Sequence, residues 1–189
     1  MNIKNFANAM QGAGVKPSLF EVQGRIGGTE SPLTPFLVKS ASLPGTALGT
    51  IEIPFRGRRI KVPGDRVFGD WTITLINDNK FQLRNLFELW VNSIQSMQTN
   101  VATNEFINFA GPVFTDWTVN QLDRAGKPIK AYTLVGCFPT DISPIDLSYE
   151  ATDQIEEFSV TLAYSYFTSN VGTPDAQPLP GLNNFTPGG

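Results

Sequence analysis

Six carboxylates crowd one late stretch of the chain: Asp141, Asp146, Glu150, Asp153, Glu156 and Glu157 follow one another with no Lys or Arg between them. Two acids held at a fixed separation in a cleft could do glycosidase or aspartic-protease work. Nothing in the local sequence selects a pair among the six, and the Asp-Thr/Ser-Gly turn of aspartic proteases is missing. A calcium loop would need a Gly-punctuated ladder of Asp and Asn, which the run also lacks. The expectation is a solvated face or an interface of one charge sign. Other chemistry is excluded by composition. The 189 residues include no His, which removes Ser-His-Asp and Cys-His catalysis and nearly every zinc site, and the single Cys137, in an apolar stretch, reads as a buried thiol. No catalytic residue, cofactor or metal site is expected.

The opposite charge gathers at Arg56, Arg58, Arg59, Lys61 and Arg66. Basic side chains on a protruding element can grip phosphates, but no aromatics interleave with them as on a single-strand platform. Three readings stay open: a solvated hairpin, an anion-binding finger, or a finger that docks on an acidic surface of another copy through the late carboxylates. Blocks of opposite sign in one chain favour self-association, because head-to-tail contacts need two different complementary surfaces. The whole chain carries 14 Lys+Arg against 17 Asp+Glu, a charge of −3, which argues against a surface that grips nucleic acid throughout.

The elements that must position these groups are mostly strands. Phe20, Val22 and Ile26 alternate with Glu21, Gln23 and Arg25, the period of a half-buried strand, and Phe36 to Ser40 reads as its partner. Ile51, Ile53 and Phe55 continue the period into Arg56–Val62, with Gly45 and Gly49 before and Pro63-Gly64 after, so the segment reads as a long protruding hairpin or extended loop. Trp71, Ile73 and Leu75 form a further strand, and Asn77-Asp78-Asn79 can cap a helix. From Lys80 to about Ser96 the period changes: Leu83, Leu86, Phe87, Trp90, Ile94 and Met97 form one apolar stripe. Val113–Val119, Ala131–Phe138, Ile145–Tyr149 and Phe158–Phe167 read as strands, with a turn at Asp123–Lys127. In the last strand Phe158, Val160, Leu162, Tyr164 and Tyr166 share a face opposite Glu157, Ser159, Thr161, Ala163 and Ser165. The heptads Val67–Ile73 and Val113–Val119 echo each other and would place Trp71 and Trp117 in matching core sites, although an echo this short is also within chance for β-type composition.

The expected organisation is an N-terminal arm at 1–17, a β domain at 18–168 and a Pro/Gly-rich tail at 169–189. The first fifteen residues have no continuous apolar stretch of a signal peptide, and no run approaches the ~18 apolar residues of a membrane span. A cytoplasmic product without membrane insertion is expected.

The run Ile51-Glu52-Ile53-Pro54-Phe55-Arg56-Gly57-Arg58-Arg59-Ile60-Lys61-Val62-Pro63-Gly64-Asp65-Arg66 is followed by Phe68, Asp70-Trp71-Thr72, Asn77-Asp78 and a helix with Leu83-Arg84 and Phe87-Glu88-Leu89-Trp90. Leu43-Pro44-Gly45 precedes it, and Gly136-Cys137-Phe138-Pro139, Ile142-Ser143 and the strand to Tyr166 come after. In these residues the chain closely resembles the tail tube proteins of T4-like contractile-tailed bacteriophages, over about residues 15–168. The resemblance implies an antiparallel β-sandwich or half-barrel with one flanking helix, related to the inner-tube proteins of type VI secretion and contractile bacteriocins. It implies sixfold rings that stack into a hollow tube within a sheath. Implied partners are further copies of the chain, the tail sheath protein, and baseplate and tube-terminating proteins, with viral double-stranded DNA passing through the lumen without specific binding. The product would be a structural protein of the virion tail, assembled in the bacterial host, and not an enzyme. The element from Gly45 to Arg66 would reach the adjacent ring, with Arg56, Arg58, Arg59 and Lys61 as polar contacts, and positions such as Ser159, Thr161 and Ser165, with acids nearby, would line the lumen. The rival readings are the inner tube of a phage-derived injection particle, a monomeric β-sandwich that binds an anion, and, as the weakest, a carboxylate-dependent hydrolase.

Overall fold

The computed structural model describes residues 3–4, 14–31, 33–102 and 113–170. Along the chain run β1 (Phe20–Ile26), β2 (Thr29–Glu30), α1 (Thr34–Leu37), β3 (Val38–Ala41), β4 (Thr46–Phe55), β5 (Arg58–Phe68), β6 (Trp71–Ile76), α2 (Gln82–Ile94), β7 (Thr115–Leu122), β8 (Pro128–Ile142), β9 (Glu157–Ala163) and β10 (Tyr166–Asn170). One antiparallel sheet has the order β2-β1-β7-β8-β9-β6-β3, with β10 paired to β8, while β4 and β5 pair only with each other. The mainly β architecture with a protruding hairpin is therefore as expected. The arm at 1–17 lies largely outside the described residues, and the tail beyond Asn170 lies wholly outside them.

The sheet is curled. β6 and β7 are separated by β9 and β8, three ladder steps of about 4.8 Å each, yet the Trp71 and Trp117 ring centroids lie 6.0 Å apart, edge to face. Side chains from such distant strands converge only if the sheet bends round them, which gives the half-barrel. Val22, Trp117, Val119, Leu134, Cys137, Phe158, Val160, Leu162, Trp71, Ile73 and Leu75 fill its concave side, and Leu83, Phe87 and Trp90 of α2 complete the same buried cluster. Each tryptophan also satisfies its one donor: Trp71 Nε1 donates to the Ser42 carbonyl at 2.7 Å, Trp90 Nε1 to the Val113 carbonyl at 3.0 Å, and Trp117 Nε1 to Thr115 Oγ1 at 3.2 Å. The two echoing heptads thus deliver their tryptophans to one shared core.

Five details depart from the sequence expectations. The partner of β1 is not the 36–40 segment but β7 and β2, and β3 pairs instead with β6. Pro35, at the start of α1, fixes a helical φ, so Thr34–Leu37 turns as a short helix and Phe36 faces solvent before the strand begins at Val38. The helix expected from Lys80 runs only from Gln82 to Ile94: Asp78 accepts from the Gln82 N–H at 2.9 Å at its start, and Met97 lies beyond its end, exposed. Ile145–Tyr149 is not a strand. Pro144 lacks a donor for a ladder, and the Ser148 hydroxyl takes the Glu150 N–H at 3.2 Å in a local turn, a competition that strands lose. The strand expected over 158–167 is interrupted at Tyr164-Ser165, opposite Gly136 with its φ of +69°. Its register on β8 nevertheless runs on, since Phe138 faces Ala163 and Val135 faces Tyr166, three residues further on each strand. After the break Phe167 is the side chain packed against the core, and Tyr166 is exposed.

Candidate assembly surfaces

The β4–β5 hairpin is a finger. Every residue of β4 is exposed, and β5 is exposed at most positions. Its tip is a two-residue loop, Arg56-Gly57, with φ of +44° and +80°; two positive values match the right-handed twist of the flanking strands, and Gly57 supplies one at no steric cost. Pairing runs Phe55 with Arg58, Ile53 with Ile60, Ile51 with Val62, then shifts between Leu48 and Thr50 before Leu48 meets Arg66 and Ala47 meets Val67. β5 therefore holds one extra residue near Gly64-Asp65, a bulge. There the two backbones approach closely: a Cβ on Gly64 would lie 3.2 Å from the Gly49 carbonyl carbon.

The bulge changes what each face carries. Without it Arg66 and Phe68 would follow Ile60 and Val62 on one side. With it, one face holds Ala47, Ile51, Ile53, Phe55, Ile60, Val62 and Val67, with Arg58 beside the tip and Asp65 at the bulge as its charges, and the other holds Leu48, Glu52, Arg59, Lys61, Arg66 and Phe68. Phe68 turns back toward the body and packs its ring against Tyr164 and Phe167 at 5.9 and 5.6 Å. Ile51, Ile53, Phe55, Ile60 and Val67 stay about half exposed or more. An isolated two-stranded ribbon with a bare apolar face is marginal in water, so this surface calls for a partner.

The expected basic cluster is divided by the same geometry. Arg59 Nη1 lies 2.9 Å from Glu52 Oε2 and Lys61 Nζ 3.7 Å from Glu52 Oε1, so two of the five cations share a carboxylate within the finger. Arg56 sits at the tip over the Phe55 ring, 5.5 Å from its centroid. Among the described residues no carboxylate pairs with Arg58 or Arg66. The acidic run is also divided. Glu157 on β9 pairs with Lys39 at 2.6 Å, Glu156 accepts from Asn77 Nδ2 at 2.9 Å, and Asp141 stands near the end of β8. Asp146, Glu150 and Asp153 lie in the exposed loop between β8 and β9 with Leu147, Tyr149 and Ile155, whose side chains are 80%, 108% and 69% exposed. No group of three or more His, Cys, Asp and Glu among the described residues is placed to hold a metal.

The convex face of the sheet is polar and fine-grained. Thr72 and Thr161 hydroxyls meet at 3.1 Å, Thr74 and Ser159 at 3.5 Å, and Thr140 donates to the Thr161 carbonyl at 3.1 Å. By strand alternation Glu21, Asp116, Asp141 and Glu157 share this side, with Arg25 and Lys39. Ser165 lies in the break before β10 and is exposed.

The model of the phage tail tube protein family matches residues 5–170. The chain belongs to this family. It is 32% identical over 157 residues to tail tube protein gp19 of Enterobacteria phage T4, an alignment covering 80% of this chain and 90% of that one. The tail tube protein of Serratia phage KSP90 is 31% identical over 130 residues, covering 68% and 70% of the two chains. The fold is shared with a chain of the anti-feeding prophage baseplate, with a TM-score of 0.63 at 12% identity over 85% of this chain and 98% of that one. It is shared too with a chain of the sheath–tube complex of an extracellular contractile injection system, with a TM-score of 0.58 at 19% identity over 87% and 97%. The protein is thus a tail tube protein, a structural component of the phage virion.

Attention to charge alone in this tail tube protein hides the residues that most need a partner. Ile60, Val67, Leu147, Tyr149 and Ile155 are candidate contacts beyond the charged ones, and Glu52 is the acid that neutralises part of the finger. Alternation through Arg58–Val62 was the available signal for Ile60. Val67 is out of phase with it until the bulge is known.

Proposed function

We propose that this tail tube protein polymerises into stacked sixfold rings that form the inner conduit of a contractile tail, with the finger reaching the adjacent ring. The observation that carries the reading is a hairpin with a bare apolar face on a chain of the tail tube family. Edges β3 and β10 each lack a second neighbour in the sheet among the described residues, and pairing such edges between copies would turn an aggregation liability into a ring-wide barrel. The convex face would line the lumen. Small hydroxyls there offer little for DNA to grip, and Glu21, Asp116 and Asp141 repel phosphates. The sheath, baseplate and tube-terminating proteins would be further partners, met in the host cytoplasm during assembly, and the work done is mechanical.

Electron microscopy of the purified protein, alone and seeded with tail baseplates, tests the proposal. Rings or tubes with sixfold end views are expected. A chain that stays near 20.7 kDa by light scattering at high concentration, seeded or not, overturns it.

A further inference from the structure

Two exposed apolar surfaces stand on this chain, one cationic at the finger tip and the other acidic. The finger's apolar face carries Ile51, Ile53, Phe55 and Ile60 with Arg58, and the β8–β9 loop carries Leu147, Tyr149 and Ile155 with Asp146, Glu150 and Asp153. Neither is large enough to form a core alone, and they differ in shape, one an extended ribbon and the other a turn-rich loop. Two unlike complementary surfaces on one chain make a head-to-tail contact, which propagates from copy to copy instead of closing into a dimer. Glu52 matters to the choice of face. Because it holds Arg59 and Lys61 on the opposite side, the charge presented with the tip half of the apolar row, Ile53, Phe55 and Ile60, is Arg58, while Asp65 lies at the far end beside the bulge.

We infer that the finger of one copy docks by its apolar face on the 146–155 loop of a second copy, with Arg58 meeting the acids of that loop, Asp146, Glu150 and Asp153. This rests on the tube reading above and names its stacking contact. The apolar side chains supply the burial, and the single arginine supplies register, since a ribbon of alternating Ile and Phe can slip by two residues without changing its face. Arg59 and Lys61 are spectators, kept off the contact by Glu52.

The test is disulfide trapping within assembled tubes. Cys137 is buried and unreactive, so introduced cysteines report alone. Chains carrying Ile53→Cys or Phe55→Cys are mixed with chains carrying Leu147→Cys, Tyr149→Cys or Ile155→Cys, assembled on seeds and oxidised. A covalent dimer in at least one mixture, and in neither component alone, is expected. Arg58→Glu should raise the concentration needed for elongation at least tenfold, and adding Glu150→Arg with Asp153→Arg should restore it. Tubes that form normally but give no dimer in any mixture overturn the docking while leaving the tube reading intact. Failure of the unaltered chain to form tubes on seeds overturns both.

Discussion

The half-barrel and the finger use the same alternating strand chemistry and arrive at opposite states. In the half-barrel, every second side chain of β6 and β9, and of β7 as far as Val119, is buried, and each tryptophan donor has its acceptor. In the finger, Ile51, Ile53 and Phe55 alternate just as regularly and remain in solvent. The difference is the number of neighbours. A strand with two partners and a helix below it has somewhere to put its apolar row, whereas a ribbon paired only with itself does not. Alternation in a sequence therefore reports that a face will be covered, and leaves open whether the cover comes from the same chain.

The sharpest way to break the first half of that contrast is at Gly24. It lies opposite Trp117 in the β1–β7 ladder, and a Cβ there would overlap the indole ring. Neither strand can yield without disturbing the stacked Phe87 and Trp117 rings, 6.1 Å apart. Gly24→Ala should lower the unfolding free energy by about 3 kcal/mol, the upper end for an overpacked core, read by urea denaturation. A loss below about 0.5 kcal/mol would mean that the core is not held as tightly as its burial implies.

Most of the half-barrel was legible because its strands obey local rules. β1 keeps its expected bounds, and the inward rows of β6, β7 and β9 follow from period two. What misled was chemistry that local pattern cannot weigh. Phe36 looked like a strand residue until Pro35 made a helical turn, and the apolar residues of 145–149 looked like a buried row although Pro144 and Ser148 hold them in a loop. The charged clusters at 56–66 and 141–157 were visible by composition, but their division was not. That Glu52 binds Arg59 and Lys61, and that Lys39 binds Glu157 across 118 positions, are facts of register and tertiary folding.

A second effect acts on the half-barrel through pH. Burial, with Asp116 nearby adding to it, pushes the Cys137 thiol up to about 12. An unfolded thiol gives up its proton near 8.5. Between these values the folded state binds more protons than the unfolded one, so stability is fully present below about pH 8.5 and falls as pH rises, by up to about 1.4 kcal/mol per pH unit. Thermal unfolding from pH 8 to 11 should show this fall, and Cys137→Ala should be less stable at pH 8 yet lose less on the way to pH 11. Equal slopes for the two proteins would remove the thiol from the account.

The junction between the regions comes next. Phe68 is the finger residue that packs on Tyr164 and Phe167. It is half-buried, so Phe68→Ala should cost about 1–2 kcal/mol, less than a fully buried aromatic, while hydrogen exchange of β4 and β5 amides accelerates and that of β6 and β9 does not. Acceleration spread evenly over all four strands would show that the finger is not a separate unit.

The smallest effect on the isolated chain is the most informative. Ile53 is paired with Ile60 near the finger tip, is 49% exposed and is not part of the buried core cluster. Ile53→Asp should change the unfolding free energy by less than about 0.5 kcal/mol, as for other surface substitutions, because no core contact is lost. The same change should abolish tube elongation, since it puts a carboxylate where an apolar side chain must be covered and sets it against the acidic loop of the neighbouring copy. Sedimentation of seeded mixtures reads the assembly and urea denaturation reads the fold, on one preparation. An unstable variant would mean that Ile53 belongs to the body's core after all. A stable variant that elongates normally would mean that the apolar face stays in water, and the contrast between covered and uncovered rows would lose its second half.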